Sequence, residues 1–137
     1  MGRDIKQILE ESRTVAVVGA SRDPEKPGGR VPPRLQKRGF KVIPVSPAGG
    51  RLFGEDVVNS LAEVDGPVDI VQVFRPSEEA PQIALAAAAI GAKALWLQEG
   101  LTSADARRIA EEAGMDYVED RCVDVESQRL GIEKTLA

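Results

Sequence analysis

The stretch that decides the fold is Thr14-Val-Ala-Val-Val-Gly19, followed by Ala20-Ser-Arg-Asp-Pro-Glu-Lys-Pro-Gly-Gly29. Its first part is an apolar, β-branched run without polar alternation, which predicts a strand covered on both faces. Its second part is rich in turn-forming residues and ends just before a predicted helix. A buried strand, a glycine-rich turn and a helix are typical of an α/β protein with a parallel sheet.

Strands and helices alternate through the rest of the chain. Pro32 and Pro33 place the start of the next helix near Arg30, because proline fits only the first turn of a helix, and Gly39 ends it. The other predicted strands are 41–45, 69–74, 93–97 and 115–118, and the other predicted helices are 4–12, 76–90 and 103–113, the last with Ser103 and Gly114 as caps.

Four finer features are expected. Pro44 within the second strand predicts an outer position in the sheet or an irregular end. Ser60 and Glu63 form a capping-box pattern that predicts a short helix. Pro81 marks a start or a kink of the helix at 76–90. The tail from Cys122 onward is expected to form a last helix or a strap.

These patterns predict the α/β class, with a single Rossmann-like domain over residues 1–137. We expect three layers, with a parallel sheet of about five strands flanked by helices. The length of 137 residues fits one compact domain. Ligands of such folds bind at the carboxyl ends of the strands, where the strand order reverses.

The residue counts exclude several kinds of chemistry. The chain has no histidine, which excludes a Ser-His-Asp triad, a histidine-ligated metal and a phosphohistidine relay. Its one cysteine cannot form an intramolecular disulfide or a cysteine-cluster zinc site. We therefore expect no metal site and no catalytic residues, and the lack of paired cysteines favours a cytoplasmic location.

Charge is unevenly distributed along the chain. Residues 1–51 carry 11 basic and 5 acidic side chains, whereas residues 52–137 carry 7 basic and 17 acidic ones. No dense basic block is present, which argues against nucleic acid as a partner. No apolar run is long enough to span a bilayer. The positive first third fits a small anionic ligand, the alternative being scattered charge in solvent.

The loop after the first strand has the features of an anion site. Gly19 allows a sharp turn, and Gly28 and Gly29 leave amides open at a helix N-terminus, where the helix dipole favours anions. The alternative is that the glycines only make a tight connection between strand and helix. The cations of this loop are Arg22, Lys26 and Arg30.

The known nucleotide fingerprints do not match. The dinucleotide pattern G-x-G-x-x-G fails because Ser21 and Pro24 stand where glycines are required. Ser46 and Pro47 follow the second strand, where an acidic residue would hold a ribose of NAD. Arg51 facing a 2′-phosphate keeps NADP open as an alternative. The P-loop signature of nucleoside-triphosphate hydrolases is absent as well.

Taken together, several motifs resemble those of the small bacterial CoA-binding proteins, whose single domain is similar to the CoA-binding domain of the succinyl-CoA synthetase α subunit. The resemblance runs from about residue 12 to residue 130. The motifs are Val17-Val-Gly-Ala-Ser-Arg-Asp-Pro24, Val42-Ile-Pro-Val-Ser-Pro47, Val73-Phe-Arg-Pro76, Gly91-Ala-Lys93, Trp96-Leu-Gln-Glu-Gly100 and Asp120-Arg-Cys122 with Glu126 and Arg129-Leu130.

The resemblance implies roles for named residues. Pro47 would line the nucleotide pocket, and Phe74, Arg75 and Pro76 would form its adenine side. Phe74 as a core residue and Arg75 as a cap of a neighbouring helix are the alternatives. The residues implied to hold the CoA phosphates are Gly19, Ala20, Ser21, Arg22, Lys26, Pro27 and Gly28, with Arg30 as a further cation.

Three other features have weaker functional interpretations. Gln98-Glu-Gly100 either faces the pantetheine arm of CoA or simply turns the chain, and we favour the turn. Cys122 beside Arg121 is a candidate reactive thiol, although a lone cysteine is more often inert and buried. Glu126 and Arg129, three residues apart, are expected to form an intrahelical pair.

The expected function is non-catalytic binding of CoA or an acyl-CoA. The alternatives are an NADP-binding oxidoreductase and a subunit of an acyl-CoA ligase assembly. A ligase of the type that the resemblance implies needs a phosphorylatable histidine and a nucleotide-grasp domain. This chain has neither, so ligase activity would require another polypeptide.

Overall fold

Five parallel strands form the central sheet within residues 2–134, the part of the chain that the computed structural model describes. Met1 and the last three residues of the predicted domain lie outside the described residues. The strands are β1 Thr14–Val18, β2 Lys41–Val45, β3 Arg51–Leu52, β4 Glu55–Asp56, β5 Ile70–Val73, β6 Ala94–Leu97 and β7 Asp116–Val118, and the helices are α1 Ile5–Glu11, α2 Pro27–Lys37, α3 Ala80–Ala89, α4 Ala104–Glu112 and α5 Val123–Arg129.

The sheet has the order β2-β1-β5-β6-β7, and the predicted Rossmann-like fold is confirmed. From β1 the chain moves outward to β2, then returns to the other side of β1 and adds β5, β6 and β7 in turn. The strand order therefore reverses between β1 and β5, which places the expected ligand crevice at their carboxyl ends.

Pro44 lies on the edge strand, as predicted. β2 pairs with β1 alone among the strands of this sheet, so the missing N–H of Pro44 costs no bond on its other side. Its carbonyl oxygen still accepts a hydrogen bond from the Val58 N–H at 3.0 Å. The edge strand thereby holds the segment that follows the β3–β4 hairpin.

Alternate side chains of the strands fill two core layers. Val71 and Leu95 face α3 and α4 on one side of the sheet, whereas Val17 and Trp96 face α1, α2 and α5 on the other. All four side chains are fully buried. Because both faces are covered, the strands read as continuous apolar runs in the sequence.

The start of α2 was predicted three residues too late. The helix begins at Pro27, not Arg30, and Pro32 and Pro33 lie inside it. Pro32 cannot donate the helical hydrogen bond to the Gly28 carbonyl. That carbonyl instead accepts a bond from the Ser21 N–H at 3.1 Å, so the free acceptor is satisfied by the loop after β1. An interior proline is thus accommodated because the loop supplies the missing donor.

The β3–β4 hairpin was not predicted. Its two-residue turn, Phe53 and Gly54, has φ values of 57° and 77°. Positive φ at both central residues is what a type I′ turn requires, but Asn-Gly is its usual sequence, and phenylalanine hides the signal. Phe53 packs against the core, and its carbonyl accepts a bond from the Gln36 side chain at 2.9 Å.

The capping box at Ser60 and Glu63 was wrong. The segment Leu61–Glu63 is a single 3₁₀ turn, and the Ser60 side chain makes no capping bond. Glu63 reaches back one residue further and accepts a bond from the Asn59 N–H at 3.1 Å. The pattern was therefore correct for a turn and wrong in its hydrogen bonds.

The remaining helices agree with the predictions. A 3₁₀ turn at Ser77–Glu79 precedes α3, so Pro81 occupies the first turn of that helix. The Ser103 hydroxyl caps α4 by accepting a bond from the Ala106 N–H at 3.0 Å. The tail forms α5, Val123–Arg129, and its residues 135–137 lie outside the described part of the chain. No helix among the described residues is long and apolar enough to cross a membrane.

We expect Gly29→Ala to destabilise the protein. A Cβ on Gly29 would overlap the Asp23 carbonyl oxygen and lie 2.9 Å from that of Ser21. The expected loss is about 1–3 kcal/mol in the free energy of unfolding, although alanine is favoured over glycine in helices by about 1 kcal/mol. Urea unfolding measures it, with Lys37→Ala in the same helix as the control, expected within about 0.5 kcal/mol of wild type. A Gly29→Ala protein as stable as wild type would contradict the close packing.

Candidate functional site

A cleft of about 710 Å³ opens at the carboxyl ends of β1, β2 and β5. This is the place where the strand order reverses, and the volume is within the range of about 300–1,000 Å³ typical of small-molecule sites. Its lining residues are Val18, Gly19, Ala20, Ser21, Lys26, Pro27, Gly28, Val45, Ser46, Pro47, Asn59, Ser60, Leu61, Phe74, Arg75, Glu79, Gln82, Ile83 and Ala86.

The floor of the cleft is built by close packing of α2 on the loop after β1. A Cβ on Gly28 would overlap the Gly19 carbonyl oxygen and lie 3.6 Å from the Phe74 Cβ. Gly19 itself has φ of 93°, in the region that favours glycine. Both glycines are therefore required by geometry, and they bring the backbone of the loop against the first turn of the helix.

This packing leaves one helix N-terminal donor at the cleft. Pro27 has no N–H, and the N–H groups of Gly29 and Arg30 both donate to the Lys26 carbonyl at 2.9 Å, so the prediction of an open amide was wrong for Gly29. The Gly28 N–H has no acceptor among the described residues, and Gly28 lines the cleft. An unsatisfied amide at the positive end of a helix dipole is suited to bind an anion.

Three charged side chains line the cleft. Lys26 forms no ion pair with the described residues. Arg75 is paired with Glu79, with Nε–Oε1 and Nη2–Oε2 distances of 3.1 and 2.7 Å. Hydrogen bonding from Arg75 lowers the pKa of Glu79, so this carboxylate is ionised at neutral pH. Among the described residues, the cleft therefore presents one cation without an ion pair, Lys26, and one that is already paired, Arg75.

Phe74 fits both of its sequence interpretations. It is half-buried, it packs against the core on the α2 side, and it also lines the cleft. Its N–H donates to the Val18 carbonyl at 2.9 Å, which holds the end of β5 beside the end of β1. Arg75 pairs with the Glu79 side chain in the turn before α3, which is an ion pair and not the cap of a neighbouring helix that the alternative predicted.

Most of the predicted site residues meet in the cleft. Pro47 lines the wall opposite α3, and the loop residues line its floor. Three predicted residues do not line it. These are Arg22, Arg30 and Pro76, whereas Gly19, Ala20, Ser21, Lys26, Pro27, Gly28, Pro47, Phe74 and Arg75 do.

Arg22 braces the backbone outside the cleft. Its Nη1 donates to the Arg51 carbonyl oxygen at 3.1 Å, which ties the loop after β1 to the β3–β4 hairpin. A Cβ on Gly50, which has φ of 86°, would lie 2.7 Å from Arg22 Nη2. Arg30 similarly donates to a carbonyl of its own loop, that of Glu25, at 3.1 Å. Both arginines are therefore engaged with backbone groups.

Arg51 does not face the cleft either. Its guanidinium pairs with Asp56 at 2.7 Å and donates to the Gly54 carbonyl at 2.7 Å, within the hairpin. Arg51 is therefore not placed to bind the 2′-phosphate of NADP in this cleft.

The wall formed by α3 was missed. Glu79, Gln82, Ile83 and Ala86 line the cleft, and their spacing places them on one face of the helix. The sequence contains a signal for this wall, because the polar residues Glu79 and Gln82 and the apolar residues Ile83 and Ala86 recur at helical spacing. The segment Asn59–Leu61 was also missed, since nothing in its composition predicts that it packs beside β2.

The other singled-out residues lie away from the cleft. Gln98 begins a turn in which its carbonyl accepts a bond from the Leu101 N–H at 2.9 Å, in agreement with the favoured interpretation. Cys122 is half-buried against the core at the start of α5. The predicted pair of Glu126 and Arg129 is confirmed at 2.8 Å.

Comparisons with known proteins assign this architecture to a family. The family described as CoA binding domain matches residues 13–128. An uncharacterized protein YneT of Bacillus subtilis (strain 168) is 38% identical over 122 residues, which cover 89% of this chain and 90% of that protein. The structure of cell-free ID.343 from Thermus thermophilus has a TM-score of 0.88 and 37% identity, covering 93% of this chain and 99% of that one.

A larger protein contains a related segment. The acetate–CoA ligase (ADP-forming) II subunit alpha of Pyrococcus furiosus is 28% identical over 134 residues. The match covers 90% of this chain but 29% of the ligase subunit. The chain is thus related to one part of an acyl-CoA ligase α subunit.

We expect Arg22→Ala to loosen the hairpin rather than the sheet. Loss of the bond to the Arg51 carbonyl should speed amide exchange in residues 50–57 about fivefold, the effect of removing roughly 1 kcal/mol. Hydrogen–deuterium exchange read by mass spectrometry measures this. Arg30→Ala is the matched control, because its guanidinium binds within its own loop. Equal exchange of the hairpin in both variants would contradict the bracing role.

Proposed function

The chain belongs to the CoA-binding domain family, and we propose that it binds coenzyme A or an acyl-CoA in the cleft at the carboxyl ends of β1, β2 and β5. We propose further that it does so without catalytic chemistry of its own. The observation that carries the proposal is the free Gly28 N–H at the start of α2, beside Lys26 and at the reversal of strand order.

Phosphate binding is supported at the floor of the cleft. A helix N-terminus with a free amide and an adjacent ammonium group is a suitable site for a phosphate. In this proposal Gly28 and Lys26 contact the phosphates directly, and Arg75 contributes a second cation. The proposed phosphate contacts are Gly19, Ala20, Ser21, Lys26, Pro27, Gly28 and Arg75, while Arg22 and Arg30 are left out because they lie outside the lining.

The walls of the cleft support the non-phosphate parts of the ligand. Leu61, Ile83 and Ala86 form an apolar part of the lining on the α3 face of the sheet, Phe74 lines the cleft from the α2 face, and Pro47 lines it at the end of β2. Small-molecule sites combine such apolar walls with a few polar groups that fix orientation. We assign Phe74 and Pro47 to the adenosine part of CoA and leave out Pro76, which does not line the cleft.

A non-catalytic role is supported by the titratable groups of the site. In the described part of the chain, the cleft is lined by Lys26, Arg75 and Glu79 as its only charged side chains. Glu79 is held ionised by Arg75, and a carboxylate whose pKa is lowered is a weak general base. The whole sequence has no histidine to take up phosphate or a proton.

Isothermal titration calorimetry tests the proposed function. CoA is expected to bind more tightly than dephospho-CoA, because the 3′-phosphate needs a cation of this site. NADPH serves as the competing nucleotide, since the position of Arg51 gives no support to its 2′-phosphate. Absence of heat with CoA at near-millimolar concentration would overturn the proposal, and tighter binding of NADPH than of CoA would favour the oxidoreductase alternative.

We expect Lys26→Met to weaken CoA binding about tenfold, equivalent to about 1.4 kcal/mol, because one charge-assisted contact to phosphate is lost. Lys37→Met removes the same charge from the far end of α2 and is the matched control. The ratio of dissociation constants from calorimetry measures the effect. Equal weakening in both variants would show a general charge effect and contradict a direct contact.

A further inference from the structure

The ion pair between Arg75 and Glu79 lies in the cleft, where the ligand is proposed to bind. Both residues line the cleft, together with Lys26 and Gly28. The pair is bidentate, at 3.1 and 2.7 Å, and it joins the segment after β5 to the turn before α3. A carboxylate and a phosphate offer an arginine the same forked arrangement of two oxygen acceptors.

The aliphatic stem of Arg75 lies close to Gly19, where the loop after β1 begins. A Cβ placed on Gly19 would lie 3.1 Å from Arg75 Cδ and 3.2 Å from its Cγ. The stem of the side chain therefore lies directly over Gly19, and the guanidinium extends beyond it. A phosphate bound on this loop is within the range of that end once Glu79 is released.

The pair is open to solvent, so exchange of its anion costs little. The side chains of Arg75 and Glu79 are 49% and 47% exposed. Ion pairs at such exposure contribute little to stability. A phosphate monoester carries more charge than a carboxylate, and a diphosphate presents two negative charges side by side, so either can displace a carboxylate from the guanidinium.

From these observations we infer that Glu79 competes with a phosphate of the ligand for Arg75 and thereby sets the affinity of the cleft. The inference rests on the proposed function. In the arrangement that the structure shows, the Glu79 carboxylate accepts the hydrogen bonds of the Arg75 guanidinium and adds a negative charge to the cleft. A bound phosphate replaces Glu79 at Arg75, whereas a ligand without a phosphate at this point leaves the pair intact and gains nothing from Arg75.

Glu79→Gln is the variant that separates competition from positioning. Glutamine keeps the size of the side chain and one oxygen acceptor but removes the charge. If Glu79 competes, the variant binds CoA about two- to fivefold more tightly, the range in which exposed ion pairs act. If Glu79 instead holds Arg75 in place for the ligand, the variant binds CoA more weakly and the inference is overturned.

Glu78→Gln is the matched control. Glu78 is exposed, adjacent to Glu79 in sequence and outside the cleft lining. The substitution Glu78→Gln therefore removes the same charge without changing the ion pair of Arg75. We expect its affinity for CoA to equal that of wild type. An equal gain in the two variants would indicate a general field effect and overturn the inference.

A double-mutant cycle with Arg75→Gln completes the test. The gain from Glu79→Gln is expected to disappear in the Arg75→Gln background, because no guanidinium remains to be freed; persistence of the full gain overturns the inference.

Titration with CoA and dephospho-CoA assigns the phosphate: a gain with both ligands points to the diphosphate, and a gain with CoA alone points to the 3′-phosphate. If wild type binds CoA and the ratio between variants is one, only this inference fails. If wild type does not bind CoA, the proposed function fails first.

Discussion

The packing of the first turn of α2 against the loop after β1 is the contact on which the site depends. At Gly28 and Gly29 no side chain fits, because a Cβ would overlap carbonyl oxygens of the loop. Pro32 frees the Gly28 carbonyl, and the Ser21 N–H takes it at 3.1 Å. Proline inside a helix ordinarily weakens it, but here Pro32 leaves a carbonyl free that bonds the helix to the loop. Because β1 is paired on both sides, the loop starts from a fixed point, and the free amide of Gly28 is held at the cleft.

This geometry leaves fewer positive charges in the cleft than the basic composition of residues 1–51 would suggest. The first 51 residues have an excess of basic side chains, yet Arg22 and Arg30 donate to backbone carbonyls and Arg51 pairs with Asp56. Of the three cations predicted to face a ligand, Arg22, Lys26 and Arg30, only Lys26 lines the cleft. In the proposed function, recognition of an anion would therefore depend on the Lys26 ammonium group, the Gly28 amide and an arginine that is already engaged. With so few groups, the charge of a single neighbouring carboxylate changes the field in the cleft substantially.

The sequence predicted what depends on local pattern and missed what depends on contacts between distant segments. The strands were found because burial on both faces gives continuous apolar runs, and the edge position of Pro44 followed from its missing donor. The start of α2 was misplaced because the donor that accommodates Pro32 is Ser21, eleven residues earlier. The β3–β4 hairpin escaped because Phe53 adopts positive φ, held by the core and by Gln36. Nine of the twelve predicted site residues line the cleft, since the carboxyl ends of neighbouring parallel strands meet at one edge.

The two walls of the cleft are held in different ways, and this difference bears on how a ligand would be recognised. The α3 wall is anchored by Ala84 and Ala87, which are fully buried against the sheet and α4. The wall at the end of β2 is attached by the bridge of Val45 to Val58 and by Leu61, which is buried in the same core cluster as α3. Local opening has its lowest cost where few buried contacts must be broken. Within residues 46–60 only Val57 is buried, so adjustment to a ligand bound as proposed would cost least in this segment, while the α3 wall, with its charged end and its apolar end, would stay fixed and orient the ligand.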